Sequence, residues 1–140
     1  MVDDNGLGLV ARKSVLEELG HRITIASTAE DALELFTRQR FDMVITDFKM
    51  PKMNGVELTA QLREVRSDIP VILISGFTDA LGLNEATTGA DLVIQKSSQE
   101  VAQLIRGVNR LLGRAPRKPA SSADRARARN QRAVGRADPV

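Results

Sequence analysis

Four short runs of β-forming residues alternate with stretches of helical periodicity in residues 1–113, and this alternation restricts the chain to few folds. The runs are 23–26, 43–46, 71–74 and 92–94. After the last run, apolar residues recur on one face of a helix that Gly113 can end, and they are Val101, Leu104, Ile105, Val108, Leu111 and Leu112. The alternation of strands and helices with short connections between them predicts an α/β fold with a doubly wound parallel sheet.

The commonest small sheet of this type has five strands, and here the first is truncated. The runs at 43–46 and 71–74 are nearly apolar on both faces, which is typical of central strands covered by helices on each side. The run at 23–26 contains Thr24, which favours an edge position. The first strand would be Met1-Val2 and little more.

Charge divides the chain into a domain and a tail. Residues 1–113 carry 12 Lys and Arg against 16 Asp and Glu, a net charge of −4, whereas residues 114–140 carry 8 against 2, a net charge of +6. The tail has no aromatic residue and almost no β-branched aliphatics, so we expect it to be disordered. A solubilising role is favoured over nonspecific nucleic-acid binding, because no base-stacking aromatics accompany its arginines.

Several classes of protein are excluded by composition. There is no cysteine, which rules out disulfides and thiolate zinc sites. No apolar stretch approaches the roughly 20 residues of a membrane span, and no signal peptide precedes the first run, so a cytoplasmic protein is expected. His21 is the only histidine and lies away from the acidic residues, so no Ser-His-Asp arrangement can be assembled.

Polar residues follow the predicted strands where chemistry is expected. Asp3 and Asp4 follow the first strand, Asp47 ends the third, Ser75 ends the fourth and Lys96 lies just past the fifth. Parallel strands bring all of these residues to the carboxyl edge of the sheet, where such folds bind ligands. Three converging carboxylates need a cation, and oxygen ligands favour Mg²⁺.

A rival motif follows the acid pair closely. Residues 6–11 satisfy G-x-G-x-x-A, which can bind a dinucleotide pyrophosphate at a helix N-terminus. Against this interpretation, Asp3 and Asp4 would face the pyrophosphate, and no acid follows the second strand to bind a ribose. We favour a flexible loop before the first helix.

Together these residues resemble the receiver domain of two-component response regulators over about residues 1–113. The resemblance rests on the acid pair with Asn5, Asp47 with Met50-Pro51 and Gly55, Ser75, residues 89–91, and Lys96. It implies a flavodoxin-like sheet of order 2-1-3-4-5. It also implies that Asp47 accepts a phosphoryl group, that Lys96 and Ser75 contact the phosphoryl oxygens, and that Asp3, Asp4, Asp47 and the Lys49 backbone carbonyl hold Mg²⁺.

The partners implied by the resemblance are a histidine kinase or a histidine phosphotransfer protein upstream and a protein target downstream. Signalling would use the fourth and fifth predicted helices, through which a homodimer is also expected. Such a protein catalyses only its own modification and is not an enzyme acting on a separate substrate. The alternatives are a pseudo-receiver that binds a partner without phosphorylation, and the detached receiver of a hybrid histidine kinase.

Departures from the family pattern lead to further expectations. Ser97 replaces the usual proline after the lysine, so Lys96 is expected to aim differently. Val93 replaces the usual aromatic switch residue, and Gly76 after Ser75 loosens the switch loop. Because of the short first strand, we hypothesise that the natural start lies upstream or that this copy is weakened. Full stability and Mg²⁺ binding of the 140-residue chain would contradict both.

Overall fold

A computed structural model of the chain describes residues 1–4, 6–76 and 78–113. The strands are β1 (Val44–Asp47), β2 (Val71–Ser75) and β3 (Leu92–Gln95). The helices are α1 (Gly6–Glu18), α2 (Ala29–Arg38), α3 (Gly55–Val65), α4 (Thr78–Leu81), α5 (Glu85–Thr88) and α6 (Glu100–Gly113). The strands run parallel in the order β1-β2-β3, which confirms the predicted α/β class.

The N-terminal segment lies between β1 and residue 26. The Val2 N–H donates to the Ile45 carbonyl at 2.8 Å, and the Asp47 N–H donates to the Val2 carbonyl at 2.8 Å. On its other side, the Ala26 N–H donates to the Met1 carbonyl at 2.9 Å. The segment is thus hydrogen-bonded on both sides over its few residues.

The strand expected at 23–26 is absent from the described residues. Only Ala26 forms an isolated parallel bridge, with Val2. A ladder needs several consecutive partners, and the N-terminal segment offers too few residues to pair with the whole run. The prediction of a full edge strand was therefore wrong, and a single pair of residues takes its place.

Two apolar layers cover the two faces of the sheet, because successive strand residues point to opposite sides. One layer joins the sheet to α2 and α3 through Ala29, Phe36, Val44, Leu58, Leu62 and Leu73. The other joins the sheet to α1 and α6 through Leu9, Leu16, Ile45, Ile72, Leu104 and Val108. The expectation of helices on both faces is confirmed, and the apolar stripe predicted after residue 100 is the buried face of α6.

The connection between β2 and β3, where the fourth predicted helix is expected, contains two four-residue helices, α4 and α5. Gly82 lies between them with φ +67, a left-handed conformation that ends a right-handed helix. Asn84 then starts α5 by accepting from the Thr87 N–H. This broken connection lies beside the carboxyl end of β2.

None of the helices within the described ranges has the length and apolar composition needed to cross a membrane. The predicted basic tail, residues 114–140, lies outside the described residues.

Candidate functional site

The carboxyl edge of the sheet forms an open cleft of about 840 Å³. Asp47 is the last residue of β1, Ser75 is the last residue of β2, and Lys96 directly follows β3. The residues that line the cleft are Asp4, Asp47, Phe48, Lys49, Met50, Pro51, Ser75, Gly76, Leu81 and Lys96. The sequence-predicted residues other than Asp3 and Val93 therefore share one cavity.

Three carboxylates meet at one end of this cleft. Asp3, Asp4 and Asp47 each offer an oxygen, and these oxygens lie within 4.8 Å of one another. Asp3 and Asp47 are buried, with relative exposures of 3% and 6%, whereas Asp4 is exposed. The all-oxygen donor set and its close spacing fit Mg²⁺, as the sequence predicts.

Electrostatics at Asp47 explain why a cation suits this cluster. Burial raises the pKa of the Asp47 carboxyl, and the negative charge of Asp3 raises it further. The hydrogen bond and charge of Lys96, and the charge of Arg12, act in the opposite direction. The net shift of the Asp47 pKa is upward, so further positive charge beside the carboxyl would favour its ionised form.

Lys96 reaches the predicted phosphoacceptor directly. Its Nζ lies 3.0 Å from Asp47 Oδ1, and its side chain is one-third exposed. The Lys96 N–H donates to the Ser75 carbonyl at 2.8 Å, which extends the β2 and β3 pairing by one residue. The expectation that Ser97 would aim Lys96 elsewhere was therefore wrong, because the strand register already sets its direction.

The predicted switch residues occupy two places. Ser75 is buried and Gly76 is exposed, and both line the cleft. Val93 lies away from the cleft in β3, partly buried against the layer of α2 and α3. Its N–H donates to the Glu85 carboxylate at 2.8 Å, which ties β3 to α5.

The loop after β1 brings Lys49 to the cleft and is closed by Gly55. The Phe48 N–H donates to the Ile74 carbonyl, and the Gly55 N–H donates back to Phe48, both at 2.8 Å. Asn54 caps α3 by accepting from the Glu57 N–H, while the Glu57 side chain accepts from the Asn54 N–H. The loop is therefore held at both ends.

Gly55→Ala is expected to lower the free energy of unfolding by about 1–3 kcal/mol through overpacking. An added Cβ would overlap the Asp47 carbonyl oxygen and would lie 2.5 Å from Leu73 Cδ1. Urea unfolding measures the change. The control is Gly76→Ala, where an added Cβ has no heavy atom within 4 Å of it. Equal stability losses in the two variants would contradict the steric explanation.

Arg12 is a site residue that the sequence analysis missed. It lies on α1 with a relative exposure of 5%, and its guanidinium pairs with the Asp3 carboxylate. The other guanidinium nitrogen donates to Glu100 Oε2 at 2.7 Å. A signal was available, because Leu9, Arg12 and Leu16 share one helix face by their spacing. An arginine on that apolar stripe must be buried.

The G-x-G-x-x-A interpretation fails on geometry. Helix α1 begins at Gly6, so the motif residues lie within the helix. A dinucleotide motif needs its glycines in the turn before the helix, where the backbone approaches the pyrophosphate. The expected flexible loop is likewise replaced by helix from Gly6 onward.

Comparison with known proteins agrees with this architecture. Residues 1–108 match the family described as response regulator receiver domain. The aerobic respiration control sensor protein ArcB of Escherichia coli is 35% identical over 75 residues, which are 52% of this chain and 10% of ArcB. The chain thus spans about a tenth of the length of that relative.

Solved structures share the fold. The response regulator TrrA of Thermotoga maritima, solved in complex with Mg²⁺-BeF, superposes with a TM-score of 0.70 and 29% identity, over 79% of this chain and 94% of TrrA. The receiver domain of the Francisella response regulator 1452 gives a TM-score of 0.73 and 29% identity, over 82% and 95%. The chain belongs to the response regulator receiver domain family of two-component signal transduction.

Proposed function

We propose that this chain accepts a phosphoryl group on Asp47 from the phosphohistidine of a histidine kinase or a histidine phosphotransfer protein. The observation that carries the proposal is the convergence of Asp47 with two further carboxylates and with Lys96 in one open cleft. Phosphoryl transfer depends mainly on positioning and charge neutralisation, and this cleft offers groups for both.

In the proposed reaction, a carboxylate oxygen of Asp47 attacks the phosphorus atom. A P–O bond forms while the P–N bond breaks, and the imidazole nitrogen keeps the electron pair of the broken bond. Lys96, already 3.0 Å from Asp47, neutralises the incoming phosphoryl oxygens. The Ser75 hydroxyl at the end of β2 donates to another oxygen.

Asp3, Asp4, Asp47 and the Lys49 backbone carbonyl would hold Mg²⁺. When bound, this ion supplies the remaining positive charge for the transferring group. The solved complex of the relative TrrA with Mg²⁺-BeF supports the assignment by analogy. Within the chain itself, support comes from the spacing of the carboxylates and from the raised pKa of Asp47.

We further propose that the sheet has the five-position order 2-1-3-4-5, numbered along the chain. In this order the N-terminal segment occupies position 1, next to β1 at position 3. The isolated bridges of Val2 with Ala26 and with Thr46 support this order. The output surface would comprise α4, α5, β3 and α6, where Glu85 links α5 to β3. A protein target or a second copy of the chain would bind there, and the chain would catalyse only its own modification.

Mg²⁺-dependent labelling by a small phosphodonor such as acetyl phosphate tests the proposed function. We expect stoichiometric labelling of the 140-residue chain and none in Asp47→Ala. The matched control is Asp68→Ala, which removes an exposed carboxylate paired with Arg66 and should label normally. If the wild-type chain and a version extended upstream both fail to label, phosphorylation-independent partner binding becomes the better explanation.

A further inference from the structure

Arg12 is a buried cation at a site that is proposed to bind another cation. Its side chain is 5% exposed and Asp3 is 3% exposed, so both charges of this ion pair are removed from solvent. Burying a guanidinium is unfavourable unless carboxylates compensate it. Here Asp3 and Glu100 compensate it from two sides.

The surroundings of the guanidinium leave room for it and limit its hydrogen-bond partners. A Cβ at Gly8, one helical turn earlier, would lie 3.2 Å from both terminal guanidinium nitrogens, so the glycine leaves room for them. The Arg12 Nε is buried and has no hydrogen-bond partner among the described residues. The guanidinium therefore pairs through its two terminal nitrogens with Asp3 and Glu100.

Asp3 belongs to two groupings at once. It is the partner of Arg12, and it is one of the three carboxylates whose oxygens converge within 4.8 Å. Arg12 also acts on Asp47 at longer range, because its charge favours the ionised form of that carboxyl. One fixed positive charge thus partly neutralises the cluster before any divalent ion binds.

We propose that Arg12 is a built-in competitor of the divalent cation and that Glu100 sets the strength of the competition. This inference rests on the proposed Mg²⁺ site. The positive charge of Arg12 neutralises part of the negative charge of Asp3 and repels a divalent cation. Arg12 therefore weakens metal binding. Glu100 neutralises Arg12 from the side of α6, so it reduces that repulsion. Arg12 is in this sense a positioning residue that tunes metal affinity.

Substitutions of Arg12 and Glu100 are expected to have opposite effects on Mg²⁺ binding. Arg12→Leu removes the competing cation and should tighten Mg²⁺ binding by about tenfold, whereas Glu100→Gln leaves Arg12 uncompensated and should weaken binding by about threefold. A purely structural role would move both affinities in the same direction, because each substitution would loosen the same ion-pair chain. The sign of the difference therefore separates the two explanations.

Isothermal titration of Mg²⁺ into the full 140-residue chain measures these affinities without phosphorylation. The control is Arg38→Leu, which removes an exposed arginine paired with Glu34 on α2 and should leave the affinity unchanged. A Mn²⁺ titration followed by electron paramagnetic resonance provides a second readout for the same variants. The increase in Tm on adding Mg²⁺ should likewise be larger in Arg12→Leu than in the wild type.

Each outcome decides a separate point. If Arg12→Leu binds Mg²⁺ no more tightly than the wild type, the competition is refuted while the metal site stands. If neither the wild type nor any variant binds the ion, the metal site and the inference both fail. If Arg12→Leu does not fold, Glu100→Gln decides alone, and unchanged or tighter binding in that variant refutes the proposal.

Discussion

Lys96→Met is expected to slow Mg²⁺-dependent phosphorylation of Asp47 by about 100-fold, the usual effect of removing one pre-positioned group that stabilises transition-state charge. The Lys96 Nζ lies 3.0 Å from Asp47 Oδ1, so it is already located where the phosphoryl oxygens arrive. Methionine keeps the length and much of the packing of the side chain but has no charge. The rate of labelling by acetyl phosphate, measured at saturating Mg²⁺, gives the change.

The same substitution should also move the pH profile of labelling. Burial raises the pKa of Asp47, and the hydrogen bond from Lys96 lowers it. Losing that bond raises the pKa further, so the reactive carboxylate appears only at higher pH. The acid limb of the profile is therefore expected to shift upward, because the attacking group must be ionised.

Lys13→Met is the matched control for Lys96→Met. Lys13 is a partly exposed lysine on α1, paired with Glu17 at 2.9 Å, and it does not line the cleft. This variant should label at the wild-type rate with an unchanged pH profile. Equal slowing in the two variants would show that general loss of positive charge, and not the position of Lys96, causes the effect.

The central strands could be predicted because their residues are largely apolar. The apolar runs at 43–46 and 71–74 correspond to β1, shifted by one residue, and to β2, while the run at 92–94 corresponds to the less buried edge strand β3. A strand buried on both faces is largely apolar along its length, which leaves a clear pattern in the sequence. Residues 23–26 carry the same local signal, yet whether they form a ladder depends on partner residues far away in the chain.

The connection between β2 and β3 shows the same limit. The interruption between α4 and α5 depends on Gly82. Its φ of +67 is a property of the fold and cannot be read from composition. Glycine permits this conformation without requiring it. The two short helices were therefore beyond a prediction based on periodicity.

The site residues that lie at the carboxyl ends of strands could be predicted from the sequence. The cluster of Asp3, Asp4 and Asp47 was expected because topology alone brings parallel strand ends together. Arg12 comes from the side of a helix, and charged helix residues usually face solvent. Only its place between Leu9 and Leu16 marks it as buried. Ser97 does not redirect Lys96, because the pairing of β3 with β2 already fixes the backbone at Lys96.

The free energy of unfolding of this chain is expected to fall as the pH is lowered from 8 to 5. The Met1 amino group donates to the Thr24 carbonyl at 2.8 Å, and burial lowers its pKa from 8.0 to about 5. Between these values the unfolded chain binds a proton that the folded chain does not, so acid favours unfolding. At about 1.4 kcal/mol per pKa unit, the loss reaches up to about 4 kcal/mol by pH 5.

Urea unfolding at pH 5, 6, 7 and 8 measures this dependence. The matched control is the same chain with an acetylated N-terminus, which cannot take up the proton and should show a flatter profile. The carboxyl of Asp47 does not explain such a trend, because its raised pKa makes the fold lose stability as the pH rises through the acid range, in the opposite direction. An acetylated chain with the same loss between pH 8 and 5 would therefore assign the effect to groups other than the Met1 ammonium.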